Sequence, residues 1–186
     1  MLAALSAAVV VAVGVEQGIL FAVAYSLVRH VRHSYQAHSM VLAPDAQGRW
    51  IPRAPVPGVE TAPGLIVYRY GAALFYANAD HFIDQVAELV AQAPHPVRWI
   101  VIDAESIVYI DLSAGESLRS LIGRLSRKGV HVAFGRVNRY LESDMRRHRI
   151  LEAVGEGRIF PTLHEALELI RRGGVKLDPA RSRDVL

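Results

Sequence analysis

The chain has 186 residues, with 21 Lys and Arg against 18 Asp and Glu and a hydrophobic content of 52%. That length supports one domain with a substantial core plus an additional segment. No cysteine is present, which excludes disulfides, thiolate nucleophiles, zinc–cysteine and iron–sulfur sites, and the net charge of +3, carried by scattered residues, gives no support for a nucleic-acid partner.

Most of the apolar excess lies at the N-terminus, where Glu16 and Gln17 are the only strongly polar residues between Leu2 and Val28. As one span this is long enough for a bilayer, which takes about 20 residues, but a glutamate at mid-helix is expensive there. As two pieces, residues 1–15 and 18–28 flank a polar Glu16-Gln17-Gly18 turn, and each is short for a complete crossing. A secretory signal fits poorly because no Lys or Arg precedes the apolar run. The early positive charge comes afterwards, at Arg29, His30, Arg32 and His33, so the positive-inside rule puts that end and the remainder of the chain on the cytoplasmic side. Arg29 and Arg32 are therefore candidates for lipid contact. Such an opening is expected of the tail end of a larger membrane protein.

Residues 34–63 contain Pro44, Pro52, Pro55 and Pro57 and are expected to be a connector, with short strands at 40–42 and 50–51. A globular region is expected from Gly64 to Arg172. Residues 65–70 and 72–76, broken at Gly71, read as a strand pair; Asp80 reads as the cap of a helix carrying Phe82, Ile83, Val86, Leu89 and Val90 on one face.

The segment WIVIDAESIVYIDLSAGESLRSLIGRL, residues 99–125, is the most informative. Residues 99–102 form an apolar run closed by Asp103, as in a strand buried on both faces, and 107–110 a second short run closed by Asp111. Ser113 with Glu116 three residues on has the pattern of a capping box, ahead of Leu118, Leu121, Ile122 and Leu125 at helical spacing and Gly129 as the stop. A serine there is either an ordinary helix cap or a phosphoacceptor, since phosphate would gain from the helix dipole while repelling Asp111 and Glu116. A strand at 130–134, a helix near 138–148, a short strand at 159–160 and a Thr162/Glu165 capping box before a last helix stopped by Gly173 complete the α/β pattern. Residues 175–186 read as a frayed tail.

Catalytic signatures are missing: there is no Walker A loop, no dinucleotide-binding glycine motif, no H-E-x-x-H and no G-x-S-x-G. His164-Glu165 lacks a second histidine one turn on, and Asp103 and Asp111 read as turn and cap residues rather than an acid/base pair. No enzyme, cofactor or metal is expected. The basic run 145–149 reads as a solvated helix end or as a contact for anionic lipid or an acidic partner.

The blocks GLIVYRYGAALFYANADHF (64–82), VRWIVIDAESIVYIDLSAGESLRSL (97–121) and IFPTLHEAL (159–167) resemble the STAS domain of the sulfate permease (SulP) family of anion transporters, and EQGILFAVAYSLVRHVR (16–32) resembles that family's last membrane helix. The resemblance implies a central mixed β-sheet with helices mainly on one side, preceded by membrane-helix segments at 1–33, a linker with a possible first strand at 34–63, a cytoplasmic STAS domain at 64–173 and a flexible tail at 174–186. It implies a regulatory or assembly role in a transmembrane carrier of sulfate, bicarbonate or chloride. This chain would not be transport-competent alone. The implied partners are membrane lipid, the rest of the membrane domain, a second copy in a homodimer, and a regulatory protein. In related anti-sigma-factor antagonists the serine of a D-x-S-G motif is phosphorylated. Ser113 falls on that position with Ala114 in place of glycine, and Asp111, Gly115 and Arg119 would surround it as a docking surface. The alternative is thus a free-standing, membrane-tethered signalling module.

Overall fold

Runs of β-branched and aromatic residues alternate with amphipathic segments from residue 39 onward, the pattern of βαβ units around a parallel sheet. A computed structural model describes residues 14–35, 38–45, 49–155 and 157–172. The chain divides into two units, residues 1–37 and 38–186.

The first unit contributes one described helix, α1 (Val15–Tyr35). The expected turn at Glu16-Gln17-Gly18 does not form. α1 starts directly after Gly14, whose φ of +127° favours glycine, and the Gly18 N–H donates to the Gly14 carbonyl at 3.0 Å. Glu16 thereby sits in the first turn, where the helix dipole favours a carboxylate. Val15, Ile19, Leu20, Val23, Leu27 and Val28 are each more than half exposed. Among the described residues no helix is long and apolar enough to cross a membrane; in α1 the apolar stretch shares the helix with Glu16, Arg29 and Arg32. The expected helix end at 1–15 lies almost wholly outside the described residues, as do Gly173 and the tail.

The second unit is a five-stranded mixed sheet in the order β2-β1-β3-β4-β5, formed by β1 (Ser39–Pro44), β2 (Trp50–Arg53), β3 (Leu65–Tyr70), β4 (Trp99–Asp103) and β5 (His131–Gly135). β3, β4 and β5 are parallel, with Leu65, Trp99 and His131 in register. β1 runs antiparallel to both β2 and β3. The proline-rich connector is therefore partly structure: β1 and β2 belong to the sheet. Buried Thr61 stitches them in, donating to the Leu42 carbonyl and accepting from the Val67 N–H, each at 2.7 Å.

Alternation along β3 divides its buried side chains between two layers. Leu65 and Val67 join Leu42 and Val101 against Leu163, Ala166, Leu167 and Ile170 of α6 (Leu163–Arg172). Tyr68 and Tyr70 face the other way and pack edge-on against Phe82 of α2 (Tyr76–Ala91), at ring-centroid distances of 5.6 and 5.2 Å. α2 packs beside α3 (Leu112–Arg127); α5 (Ile150–Val154) contacts α3, and α4 (Arg139–Arg147) contacts α5. Helices thus lie mainly on one side, with α6 covering the other.

Three local expectations are corrected. Residues 72–76 and 107–110 are not strands. They meet only in a parallel bridge between Leu74 and Ile110, because Ile107 and Ile110 are buried while Val108 and Tyr109 between them are exposed, a spacing no strand provides. α2 begins at Tyr76 rather than at Asp80, since buried Asn78 accepts from the Phe75 N–H at 3.0 Å and donates to the Ala73 carbonyl at 2.9 Å. The bridge of Phe134 to Ile159 extends the β5 edge, and the Thr162/Glu165 capping pair forms, with the Glu165 N–H donating to the threonine hydroxyl at 3.2 Å.

Candidate functional site

Of the residues singled out by the sequence, Asp111 and Ser113 lie where the parallel strands end. Asp111 is the N-cap of α3: one carboxylate oxygen accepts from the Ala114 N–H and the other from the Tyr76 N–H, both at 2.8 Å. A single carboxylate therefore satisfies first-turn donors of both α2 and α3, where two helix dipoles present their positive ends. Ser113 is not the cap. It lies within the first turn of α3, exposed, and its hydroxyl makes no hydrogen bond among the described residues; Glu116 is likewise exposed and does not reach back. Asp111 displaces it because a cap two residues earlier serves two helices.

The remaining expected docking residues divide. Gly115 is buried, and a Cβ there would come within 2.8 Å of His148 Cβ, so this glycine lets the end of α4 approach α3. It offers no surface. Arg119 is half-exposed, two turns along α3 from Leu112. Arg29 and Arg32 lie in α1, in the other unit.

Sequence reasoning missed a charge network at the same end of the sheet. Asp103, fully buried at the end of β4, accepts from Arg69 Nε at 2.7 Å and lies 3.7 Å from Arg136 Nε. Glu105 pairs with the same arginines at 3.3 and 2.7 Å. Arg136 is held at φ +59°, a costly conformation for a residue with a side chain. The available signal was an arginine and an aspartate at the ends of otherwise apolar strands: register places Arg69 opposite Asp103.

Beneath this end lie two buried tyrosines. Burial pushes the Tyr70 hydroxyl up to about 12, and Tyr68 upward as well. Tyr68 donates to Gln85, whereas the Tyr70 hydroxyl has no hydrogen-bond partner among the described residues.

At this end five large apolar side chains, Tyr76, Val108, Tyr109, Leu112 and Tyr140, are exposed among polar ones. Backbone bonds join the segments before α2 and α3, from the Leu74 N–H to the Tyr109 carbonyl and from the Asp111 N–H to the Leu74 carbonyl, each at 3.1 Å. Asp144 of α4 accepts from the Ile110 N–H at 3.2 Å, which brings α4 to the same place. Among the described residues no group of side chains has metal-ligand character. An open groove of about 590 Å³ beside α4 and α5 is lined by Arg146 and Arg149 but equally by Glu142 and Glu152, and so selects no charge.

The segment that builds this end of the sheet and its helices is matched by a known family. The family model for the STAS domain matches residues 57–166. The chain belongs to the STAS-domain family. A probable sulfate transporter of Mycobacterium tuberculosis is 38% identical over 174 residues, which is 92% of this chain and 31% of that protein. The STAS chain thus spans about a third of the length of that curated relative, and its homology reaches beyond the domain itself. Among solved structures, murine Solute Carrier 26 family member A9, an anion transporter in the inward-facing state, superposes with a TM-score of 0.69 at 18% identity, over 83% of this chain and 25% of that one. A putative anti-sigma factor antagonist of Thermotoga maritima superposes at 0.50 with 19% identity, over 59% and 89%. These superpositions show the STAS fold.

Proposed function

We propose that this chain is the regulatory and assembly portion of a SulP-type transmembrane anion transporter, carrying sulfate-, bicarbonate- or chloride-class substrates through membrane helices that the chain itself does not supply. The observation that carries the reading is alignment with a probable sulfate transporter across 92% of this chain, α1 included, while covering 31% of that protein. The exposed apolar surface of α1 supports it too, since a helix apolar on most sides needs a non-aqueous or protein environment. In this reading α1 associates with membrane, Arg29 and Arg32 face lipid headgroups on the cytoplasmic side, and the STAS domain acts there, in a homodimer, without enzymatic chemistry.

An antibody against residues 64–172 tests it. A membrane-fraction band far above 20.5 kDa is expected; a soluble band at 20.5 kDa overturns it.

The exposed, unbonded Ser113 favours a second reading, a membrane-tethered signalling module. Here Ser113 is phosphorylated by a regulatory protein that docks beside Asp111 and Arg119. Phosphopeptide mapping of the native protein distinguishes the two: stoichiometric phosphate on Ser113 supports the module, and its absence under all growth conditions removes it.

A further inference from the structure

The chain enters the STAS sheet at a particular end. Ser39, which opens β1, pairs with Tyr70, which closes β3, and a Cβ at Gly71 would run into the His38 carbonyl. Since β3, β4 and β5 are parallel, this is also the end that carries Asp103, Asp111 and the starts of α2 and α3. The exposed residues Tyr76, Val108, Tyr109, Leu112 and Tyr140 lie around that same end, and grouped exposed apolar side chains of this kind mark interaction sites.

The charges bordering this patch identify its counterpart. α2 continues from Tyr76 with Asp80, Asp84 and Glu88 at four-residue spacing, all exposed, and α3 continues from Leu112 with Glu116, also exposed. Asp80, Asp84 and Glu116 have no ion-pair partner among the described residues. His81 and half-exposed Arg119 offset them in part; on the α4 side the border is basic, with exposed Arg139 next to Tyr140 and exposed Arg147 paired at 3.9 Å with Asp144, so the acidic flank is that of α2 and the start of α3. An anionic headgroup surface is repelled by such a flank. Loops on the cytoplasmic side of membrane proteins, by contrast, carry an excess of Lys and Arg.

We propose that this end of the STAS domain, with Tyr76, Tyr109 and Leu112 at its centre and Asp80, Asp84 and Glu116 at its border, is a docking face for a Lys/Arg-rich cytoplasmic loop of the transporter's membrane portion. The inference rests on the transporter reading and adds to it the surface and the chemistry of the contact. About two-thirds of the M. tuberculosis relative lies outside the aligned segment, so such loops have room to exist. Aromatic rings supply the buried area, and the acidic border sets the register and excludes bare lipid.

The test uses the complete polypeptide in its native membrane, with the photocrosslinker p-benzoylphenylalanine replacing Leu112 in one sample and Arg127, at the far end of α3, in the other. Adducts mapped by mass spectrometry from Leu112 to a basic loop of a membrane-spanning segment, without such adducts from Arg127, are expected. Their yield should fall at least several-fold in the double variant Asp80→Lys/Glu116→Lys. Lipid adducts from Leu112, adducts to a soluble protein, basic-loop adducts from Arg127 instead, or no adduct from Leu112 in membranes that hold the protein each overturn the proposal while leaving the transporter reading intact. Recovery of the protein as a soluble 20.5 kDa species overturns that reading itself.

Discussion

Where β3, β4 and β5 begin, Gly64 at φ +80° offers its carbonyl to the N–H groups of Arg98 and Trp99 at 2.9 and 3.0 Å, and Gly129 at φ +75° closes α3 with open space around it. Where the same strands finish, a buried carboxylate is held between two arginines, one of them at φ +59°, a glycine is pressed against a histidine, and five large apolar side chains stand in solvent. The first end uses glycines where turns need them, and among the described residues Val56 is the one large apolar side chain exposed in the loop beside it. The second combines buried charge, strain and exposed apolar surface, costs that folding alone does not explain and that a contact would. The difference separates an end that holds the fold together from one that meets something else.

The largest expected effect that sharpens this contrast is at Asp103. Replacing it with alanine leaves Arg69 and Arg136 facing each other without the buried carboxylate. Breaking a buried pair of this kind costs about 3 kcal/mol, the lower end of the usual range because both guanidiniums keep partial contact with water. Urea denaturation should show the midpoint falling accordingly, with an unchanged slope.

Next, one substitution in one helix should change sign. Gly115→Ala places a methyl against His148 and should destabilise by about 1–3 kcal/mol. Gly123→Ala, whose only near neighbour is the Arg127 guanidinium at 3.7 Å, should stabilise by roughly 0.5–1 kcal/mol. Equal effects at the two sites, measured by thermal melts, would erase the distinction between the crowded start and the open end of α3.

A smaller effect separates Asp111 from Ser113. Asp111→Ala should lose about 1–2 kcal/mol with the cap of α3 and its bond to α2, whereas Ser113→Ala should leave stability unchanged in the same melts.

The smallest concerns Tyr70. Its buried hydroxyl has no hydrogen-bond partner among the described residues, so Tyr70→Phe should be neutral or stabilising by up to about 1 kcal/mol at neutral pH. With its folded pKa raised from 10 to about 12, the neutral form is favoured in the folded state. The stabilisation is complete below pH 10 and is lost as pH rises from 10 towards 12, because the unfolded chain deprotonates first. Stability measured across that window should decline less steeply in Tyr70→Phe than in the parent.

The sheet was largely legible because apolar runs such as 99–102 and the helical spacing of Leu118, Leu121, Ile122 and Leu125 reflect burial directly. Helix starts were less so. Ser113 and Asp80 are good caps in isolation, but the side chains that hold the helix starts are Asp111, selected by a tertiary bond to the Tyr76 N–H, and Asn78, selected by a local loop through the Phe75 N–H and the Ala73 carbonyl. The connector's two strands were legible only as short pieces, and their place in the sheet depends on Thr61, which bonds across β1 and β3. For the site, sequence identified Asp111 and Ser113 but not the Arg69–Asp103–Arg136–Glu105 network, since parallel register brings together residues far apart in the chain. Nor does spacing distinguish a half-exposed Arg119 from a buried Gly115 that serves packing.

Uptake of labelled sulfate, bicarbonate and chloride by the complete polypeptide, with and without residues 38–172, tests the central claim most directly. The deletion begins at 38 because β1 and β2 belong to the sheet. Transport of at least one of these anions, lost or severely reduced together with the domain, is the result the account predicts. Uptake and membrane level unchanged by the deletion would contradict it.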